Sequence, residues 1–243
     1  MKAGLLATML LSAVCAAQPA PAPAPSAAEQ QLAAAQAKLT DWPQLGRYRE
    51  EDSRMTAPAA GEQRVVFYGD SITDAWGTAD FFPGKPYVNR GISGQTTPQM
   101  VVRFHQDVVD LRPKAVLILA VTNDVAENTG PMTAGMTLDN FRAMAEMARA
   151  NHIKVIVASI LPVGEFPWHK GLDPAPKIRA LNEQLKAWCA SEGIVWVDYY
   201  SAMADATGAM KPGLSGDGVH PNAAGYAIMA PLAEAGIQKA LAK

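Results

Sequence analysis

The sequence has little cysteine, no excess of either charge and no long hydrophobic run, and each of these absences excludes a class of protein. Lys and Arg number 21 against 23 Asp and Glu, and no basic run would suit a phosphate backbone or an anionic lipid surface. Nucleic acid is therefore not an expected partner. The first apolar run, Leu5 to Val14, is much shorter than the ~20 residues that span a bilayer, so we expect no integral membrane span in the mature chain.

The amino terminus has the three-part layout of a secretory signal. Lys2 precedes the apolar run, and small residues follow that run at Ala16 and Ala17. We predict a signal peptide over residues 1–17 and a mature chain that starts near Gln18. The predicted destination is the periplasm or the extracellular space.

The two cysteines are Cys15 and Cys189. Cys15 would suit a lipid anchor, but the residues at 12–14, Ser-Ala-Val, depart from the pattern that normally precedes a lipidated cysteine. Lipoprotein anchoring is therefore the less favoured alternative. Removal of the signal leaves Cys189 alone, which excludes an intramolecular disulfide. A single cysteine in a helical pattern is typical of a small core residue.

The rest of the chain divides into a spacer and one predicted domain. Residues 18–30 are rich in Pro and Ala and are expected to form an extended linker, although a helix is predicted from about Ser26 to Lys38. Residues 31–243 form the predicted domain. The 49% hydrophobic content of the chain is enough for one substantial core.

Short apolar runs alternate with helical patterns through this domain. Five runs rich in β-branched residues are predicted strands, at 64–69, 87–91, 115–121, 154–160 and 194–199. Helical patterns lie at 98–111, 138–151, 177–192 and 223–242. Continuous apolar strands separated by helices predict a three-layer α/β/α sandwich around a mainly parallel five-stranded sheet.

Polar segments follow four of these strands, where the carboxyl ends of parallel strands meet at one edge of the sheet. Ser71 follows the first strand, at the expected start of a helix whose dipole favours developing negative charge. Asp217 and His220 follow the fifth strand. Their spacing lets the carboxylate reach the imidazole, and an imidazole held in this way can remove the proton of a serine hydroxyl.

Simpler roles exist for the same residues. Asp217 could cap a helix, and a single histidine near a surface loop is usually an ordinary polar residue. A metal site on Asp217 and His220 lacks a third and fourth ligand at suitable spacing, so neither a metal nor another cofactor is expected. Asp70 and Asp124, beside the chemistry-bearing positions, are expected to form local turn and helix-cap hydrogen bonds.

Two further residues could supply an oxyanion site. The backbone N–H at Gly94, the side-chain amide of Asn123 and the N–H of Ser71 are donors of the kind that stabilise a tetrahedral oxyanion. A turn glycine and an Asx turn are the simpler alternatives. Trp168 and His169 lie in a Pro/Gly-rich loop after the fourth strand and could line the substrate rim, although Trp168 could simply anchor that loop to the core.

The blocks GDSIT, GISG, TND and DGVH, in this order and at these strand ends, resemble those of the SGNH hydrolases, also called the GDSL esterase and lipase family. The resemblance runs from about Val65 to the end of the last helix. It implies the flavodoxin-like fold of that family, with Ser71 as nucleophile, His220 as base and Asp217 as its orienting partner. It also implies that the three donors named above form the oxyanion hole.

One position departs from the family pattern. Val121 stands where the third block usually has glycine. Because a β-branched residue does not readily adopt positive φ, we expect the turn that presents Asn123 to be shaped differently. The chain also lacks the G-x-S-x-G elbow around Ser71, which disfavours the α/β-hydrolase fold.

These features predict an exported serine hydrolase that cleaves carboxylic esters through an acyl-enzyme. The blocks are more similar to the acetylhydrolase and carbohydrate acetylesterase branch than to plant-type lipases, which favours acetyl esters of small molecules or carbohydrates. An aromatic face of Phe166, Trp168 and His169 could stack a sugar ring or hold an acyl chain. The alternatives are a lysophospholipase or acyl-thioesterase of the same family, a catalytically silent carbohydrate-binding module, and a metallophosphoesterase, for which further ligands are missing.

Overall fold

A computed structural model describes residues 25–242 of the chain. The predicted signal peptide, residues 18–24 of the predicted spacer and Lys243 lie outside the described residues. The helix predicted from about Ser26 to Lys38 is present as α1, Ala27–Thr40. Across residues 25–242, none of the helices is long and apolar enough to cross a membrane.

Five strands form one sheet in which every pairing is parallel. The strands are β1 Val65–Gly69, β2 Tyr87–Gly91, β3 Ala115–Leu119, β4 Lys154–Ala158 and β5 Val195–Val197. Their order is β2-β1-β3-β4-β5. Each strand lies within one of the five predicted runs, so the predicted sheet is confirmed.

Ten α-helices are described between residues 25 and 242. After α1 they are α2 Arg49–Arg54, α3 Ser71–Asp74, α4 Thr78–Phe81, α5 Thr97–Phe104, α6 Thr122–Val125, α7 Ala134–Ala150, α8 Pro174–Ser191, α9 Tyr200–Met203 and α10 Ala223–Leu241. A π-helical turn at His105–Val109 continues α5. The four long helical patterns of the sequence correspond to α5 with this turn, α7, α8 and α10.

The alternation of side chains along the strands produces two separate cores. In β1, Val66 and Tyr68 point into one core while Val65 and Phe67 point into the other. Helices α5, α7 and α8 cover the first core, and α3, α9 and α10 cover the second. The molecule is therefore a three-layer α/β/α sandwich, as predicted. Cys189 is fully buried in α8, as expected for a small core residue.

Two glycines let α3 lie directly against the carboxyl ends of β1 and β2. A Cβ at Gly69 would lie 2.2 Å from Oγ1 of Thr73, and a Cβ at Gly91 would lie 2.0 Å from the backbone N of Asp74. Any larger residue would push α3 away from the sheet. These close approaches fix the height of Ser71, the first residue of α3, above the strand ends.

Candidate active site

The site lies where the connections of two neighbouring strands leave toward opposite faces of the sheet. Gly69 of β1 pairs with Gly91 of β2 and with Leu119 of β3, so the three strand ends are level. The chain after β1 enters α3 on one face, whereas the chain after β3 passes through α6 to α7 on the other face. In open α/β sheets a crevice forms at such a point, and ligands bind there.

The structure brings Ser71, His220 and Asp217 together. Oγ of Ser71 lies 2.9 Å from Nε2 of His220, and Nδ1 of His220 lies 2.7 Å from Oδ2 of Asp217. A carboxylate can only accept, so Nδ1 carries the proton and Nε2 is left to accept from the serine hydroxyl. This is the arrangement in which an imidazole can act as a general base toward a serine.

The segment of residues 215–220 holds Asp217 by local hydrogen bonds. Its Oδ1 accepts from Oγ of Ser215 at 3.0 Å, from the N–H of Val219 at 2.9 Å and from the N–H of His220 at 2.8 Å. Partial burial alone would raise the pKa of Asp217, but the bonds from the His220 side chain and backbone, from Val219 and from Ser215 hold this pKa below its usual range.

Asp217 does not cap α10, the helix that follows it. The N-cap of α10 is Asn222, whose Oδ1 accepts from the N–H groups of Ala224 and Gly225 at 2.9 and 3.1 Å. The carboxylate of Asp217 is left to contact the imidazole of His220.

Gly94 lies in the loop after β2, and Asn123 lies in α6. Gly94 has φ 78° in an exposed turn after β2, a conformation that favours glycine. Nδ2 of Asn123 donates to the carbonyl oxygen of Gln95 at 2.9 Å, so the two predicted oxyanion residues are joined through the residue after Gly94. Asn123 is buried, and its side chain reaches a distant loop, which differs from the Asx turn considered as the simpler alternative.

Val121 adopts the conformation that its side chain disfavours. It has φ 90° and ψ −22°, in the left-handed region, so the expectation that valine would avoid this conformation is wrong. Such backbone strain costs about 1–3 kcal/mol. The valine side chain is fully buried, and the Val121 carbonyl accepts from the N–H of Val125 at 3.0 Å. Packing and the first turn of α6 therefore hold the strained residue in place.

Asp70 and Asp124 are both buried but have different roles. Asp70 caps α3, because its Oδ1 accepts from the N–H of Ile72 at 3.0 Å, as predicted. Asp124 was expected to bond locally, and this was wrong: it accepts from the N–H and Oγ1 of Thr97 and from Oγ1 of Thr137, on other helices. Burial raises the pKa of Asp70 to about 7 and that of Asp124 to about 6.

The loop after β4 places one aromatic ring beside the histidine. The Trp168 ring centroid lies 6.0 Å from that of His220, and Trp168 is 46% exposed. His169 is fixed to the end of α6, since its Nδ1 lies 2.8 Å from the carbonyl oxygen of Ala126. Phe166 is fully buried and offers no surface to a ligand, so its predicted place in an exposed aromatic face was wrong.

A buried arginine lies beneath the site and was not predicted from the sequence. Arg103 is fully buried and forms an ion pair with Asp107 at 2.8 Å. It also donates to the carbonyl oxygens of Gly69 and Arg90, at 2.8 and 2.9 Å, and thereby ties together the ends of β1 and β2. A charged pair four residues apart within the apolar helical pattern was the one signal of this role.

A second missed residue is Asn128, in the loop after α6. Its Nδ2 donates to Oδ1 of Asn123 at 2.8 Å, and its Oδ1 accepts from Nε1 of Trp168 at 3.1 Å. No sequence pattern pointed to it. Among the described residues, no group of three or more His, Cys, Asp and Glu side chains is arranged to hold a metal ion.

Comparison with known proteins identifies the family of the chain. Residues 67–228 match the model of the GDSL-like lipase/acylhydrolase family. The chain belongs to this family. It is therefore a hydrolase that acts on esters, and its five-stranded α/β sandwich is the fold of its structural relatives.

Among solved structures, a candidate acylhydrolase of Bacteroides fragilis is 44% identical with a TM-score of 0.80, and the alignment covers 83% of this chain and 99% of that one. An acetylxylan esterase of Geobacillus stearothermophilus is 26% identical over 69% of this chain and 90% of its own length. An uncharacterized lipoprotein of Bacillus subtilis is 31% identical over 43% of this chain, a match that spans about half (51%) of that relative.

Proposed function

We propose that this GDSL-family chain is an exported esterase that hydrolyses short acyl esters, acetyl esters above all, through a covalent intermediate on Ser71. The observation that carries the catalytic part is the continuous contact from Oγ of Ser71 to Nε2 of His220, at 2.9 Å, and from Nδ1 of His220 to Asp217, at 2.7 Å. Nucleophile, base and orienting acid are thus in hydrogen-bond contact before substrate binds.

The first half of the reaction forms the acyl-enzyme. Oγ of Ser71 attacks the ester carbonyl carbon while Nε2 of His220 takes the hydroxyl proton, and Asp217 stabilises the imidazolium that results. The carbonyl oxygen becomes an oxyanion, for which the N–H groups of Ser71 and Gly94 and the amide of Asn123 are the proposed donors. As the C–O bond to the alcohol breaks, Nε2 returns its proton to the leaving oxygen.

The second half releases the acid. Water enters in place of the alcohol, His220 takes one of its protons, and the resulting hydroxide attacks the acyl carbon. Collapse of the second tetrahedral intermediate breaks the bond to Oγ, which recovers its proton from His220. The carboxylic acid leaves and the resting contact of Ser71 with His220 is restored.

Replacement of the nucleophile tests the catalytic proposal. Ser71→Ala should abolish p-nitrophenyl acetate hydrolysis and labelling by a fluorophosphonate probe, with an unchanged circular dichroism spectrum, because only a small side chain is lost. Ser191→Ala is the matched control, since this hydroxyl lies at the end of α8 and donates to the Trp188 carbonyl. Turnover by folded Ser71→Ala at the control rate would contradict the mechanism. A wild type that is neither labelled nor active would favour the silent carbohydrate-binding module.

The preference for acetyl rests on two supports. The motif blocks are similar to those of the acetylesterase branch, and the relative from Geobacillus stearothermophilus is named as an acetylxylan esterase. A half-exposed Trp168 beside His220 would suit a sugar ring on the alcohol side of the ester.

An ester series measures the acyl preference. The kcat/KM for p-nitrophenyl esters from acetate to palmitate should peak at acetate or butyrate. In a long acyl tunnel, each buried CH₂ would instead strengthen binding of the transition state by about 0.8 kcal/mol, so kcat/KM would rise steeply with chain length. A maximum at octanoate or beyond would replace the acetylesterase with the lysophospholipase or thioesterase alternative.

Export is proposed from the amino-terminal sequence, and the lipoprotein relative from Bacillus subtilis supports it. N-terminal sequencing of the protein from a periplasmic or culture fraction should find a start near Gln18. A start at Cys15 carrying lipid would establish the lipoprotein alternative. Retention of Met1 on a cytoplasmic protein would refute export.

A further inference from the structure

One line of side chains connects the exposed rim of the site to its buried oxyanion side. Nε1 of Trp168 donates to Oδ1 of Asn128 at 3.1 Å, and Nδ2 of Asn128 donates to Oδ1 of Asn123 at 2.8 Å. Nδ2 of Asn123 then donates to the carbonyl oxygen of Gln95 at 2.9 Å. The line thus runs from the ring beside His220 to the loop of Gly94.

The two ends of this line dictate the direction of every hydrogen bond in it. An indole N–H can only donate, so the atom of Asn128 that faces Trp168 must be its oxygen. The amide nitrogen of Asn128 must then face Asn123 and meet the oxygen of that side chain. A backbone carbonyl can only accept, which requires the nitrogen of Asn123 at the other end. Both amides therefore have one consistent orientation.

Asn128 also holds Asn123 through the backbone. Its N–H donates to the carbonyl oxygen of Asn123 at 3.0 Å, which closes the turn after α6. Asn123 is only 3% exposed whereas Asn128 lies at the surface, so without Asn128 the Oδ1 of Asn123 would lose this partner or exchange it for water. The direction of the Asn123 amide, and of the second N–H on Nδ2, depends on this contact.

We propose that Asn128 is a positioning residue that orients the Asn123 amide toward the oxyanion and, through the same side chain, sets the Trp168 ring beside His220. This inference rests on the proposed function, because it assigns Asn128 to the oxyanion donor of that reaction. Asn128 acts only through its two neighbours. A change in the position of Trp168 on substrate binding would therefore reach Asn123 through a single side chain.

Two substitutions separate the two halves of the line. Asn128→Asp keeps an acceptor for Trp168 but places a carboxylate oxygen against Oδ1 of Asn123, so kcat should fall about tenfold or more with little change in KM. Trp168→Phe keeps a ring but removes the N–H that orients Asn128, so it should lower kcat less than Asn128→Asp does. Asn128→Ala, which introduces no charge, should also lower kcat.

The decisive measurement repeats Asn128→Asp in an Asn123→Ala background. If Asn128 acts through Asn123, the second change should have almost no further effect on kcat, because the donor that it orients is gone. Equal factors in both backgrounds, or unchanged kcat in folded Asn128→Asp and Asn128→Ala, would overturn the proposal.

Asn151→Asp is the matched control, because this amide donates to the Met147 carbonyl at the end of α7, and the change should leave kcat unchanged. A Tm close to that of wild type shows that each variant is folded. The proposed function fails separately, through activity of Ser71→Ala, so the two failures are distinguishable.

Discussion

Residues 215–220 and residues 121–124 lie at the same edge of the sheet but are held in opposite ways. In the first segment, Asp217 takes all its hydrogen bonds from residues at most three positions away, and its side chain is 42% exposed. In the second, Asn123 bonds a residue 28 positions away and Asp124 one 27 positions away, and both are buried. Local hydrogen bonds position Asp217 and His220, whereas contacts with distant residues help to position Asn123 and Asp124.

The aspartates of the site show what this difference does to a carboxyl group. Four hydrogen bonds to a half-exposed carboxylate hold the pKa of Asp217 below its usual range. Burial raises the pKa of Asp70 to about 7, and its Oδ2 has no hydrogen-bond partner among the described residues. The same residue type is therefore held ionised in the local segment and held toward its neutral form on the buried side.

The largest expected effect comes from the local segment. In Asp217→Asn, the oxygen can keep the bonds from the backbone N–H groups, but an amide nitrogen faces Nδ1 of His220. The imidazole must then carry its proton on Nε2, where it can no longer accept from Ser71. We expect kcat for p-nitrophenyl acetate to fall about 10⁴-fold with the fold intact. A fall of less than tenfold would show that the imidazole is oriented by some other group.

Asn123→Ala tests the long-range side. Loss of a donor that acts mainly in the transition state should lower kcat by about 10² to 10³ with little change in KM. The carbonyl oxygen of Gln95 also loses its partner, so Tm should fall as well. A change in KM alone would assign Asn123 to substrate binding or to the turn instead.

Asp70→Asn tests the pH dependence that burial creates. In the folded chain Asp70 keeps its proton up to a pH of about 7, whereas in the unfolded chain it loses the proton near 3.8. Stability therefore falls as pH rises through this window and stays low above it. The stability of Asp70→Asn relative to wild type should increase from pH 4 to pH 8, by about 4 kcal/mol.

Urea unfolding of Asp70→Asn and wild type at several pH values measures this change, and a difference independent of pH would contradict the raised pKa. Asp217 has the opposite sign. Its lowered pKa stabilises the fold above a pH of about 4, and this contribution is lost as the pH falls further.

The smallest expected effect concerns the strained turn. Val121→Gly and Val121→Ala both remove most of a buried side chain, but only glycine is free of strain at φ 90°. Within a helix or strand, glycine normally lowers the free energy of unfolding by about 0.5–1 kcal/mol relative to alanine. Here Val121→Gly should unfold with a free energy equal to or up to about 1 kcal/mol greater than that of Val121→Ala. If urea titration instead finds Val121→Ala more stable than Val121→Gly, the turn holds no strain.

The sequence was sufficient for the sheet and for the residues of the local segment. Five separate runs of β-branched residues predicted five strands, and Asp217 with His220 could be paired because only three positions separate them. The sequence did not predict that Phe166 faces the core, or that Asp124 forms hydrogen bonds to residues of other helices. Neither direction is set by neighbours in the chain.

The groups that follow the strands can be read from the chain, because apolar periodicity and turn chemistry act over a few residues. Tertiary structure alone decided how Asn123, Asn128 and Trp168 join in one line, and that Arg103 ties the strand ends from beneath. Polar groups of the packed chain must find partners wherever it offers them, and Gln95 lies 28 residues from Asn123 while Trp168 lies 40 residues from Asn128. That requirement is met only once the sheet and its helices have brought the loops together.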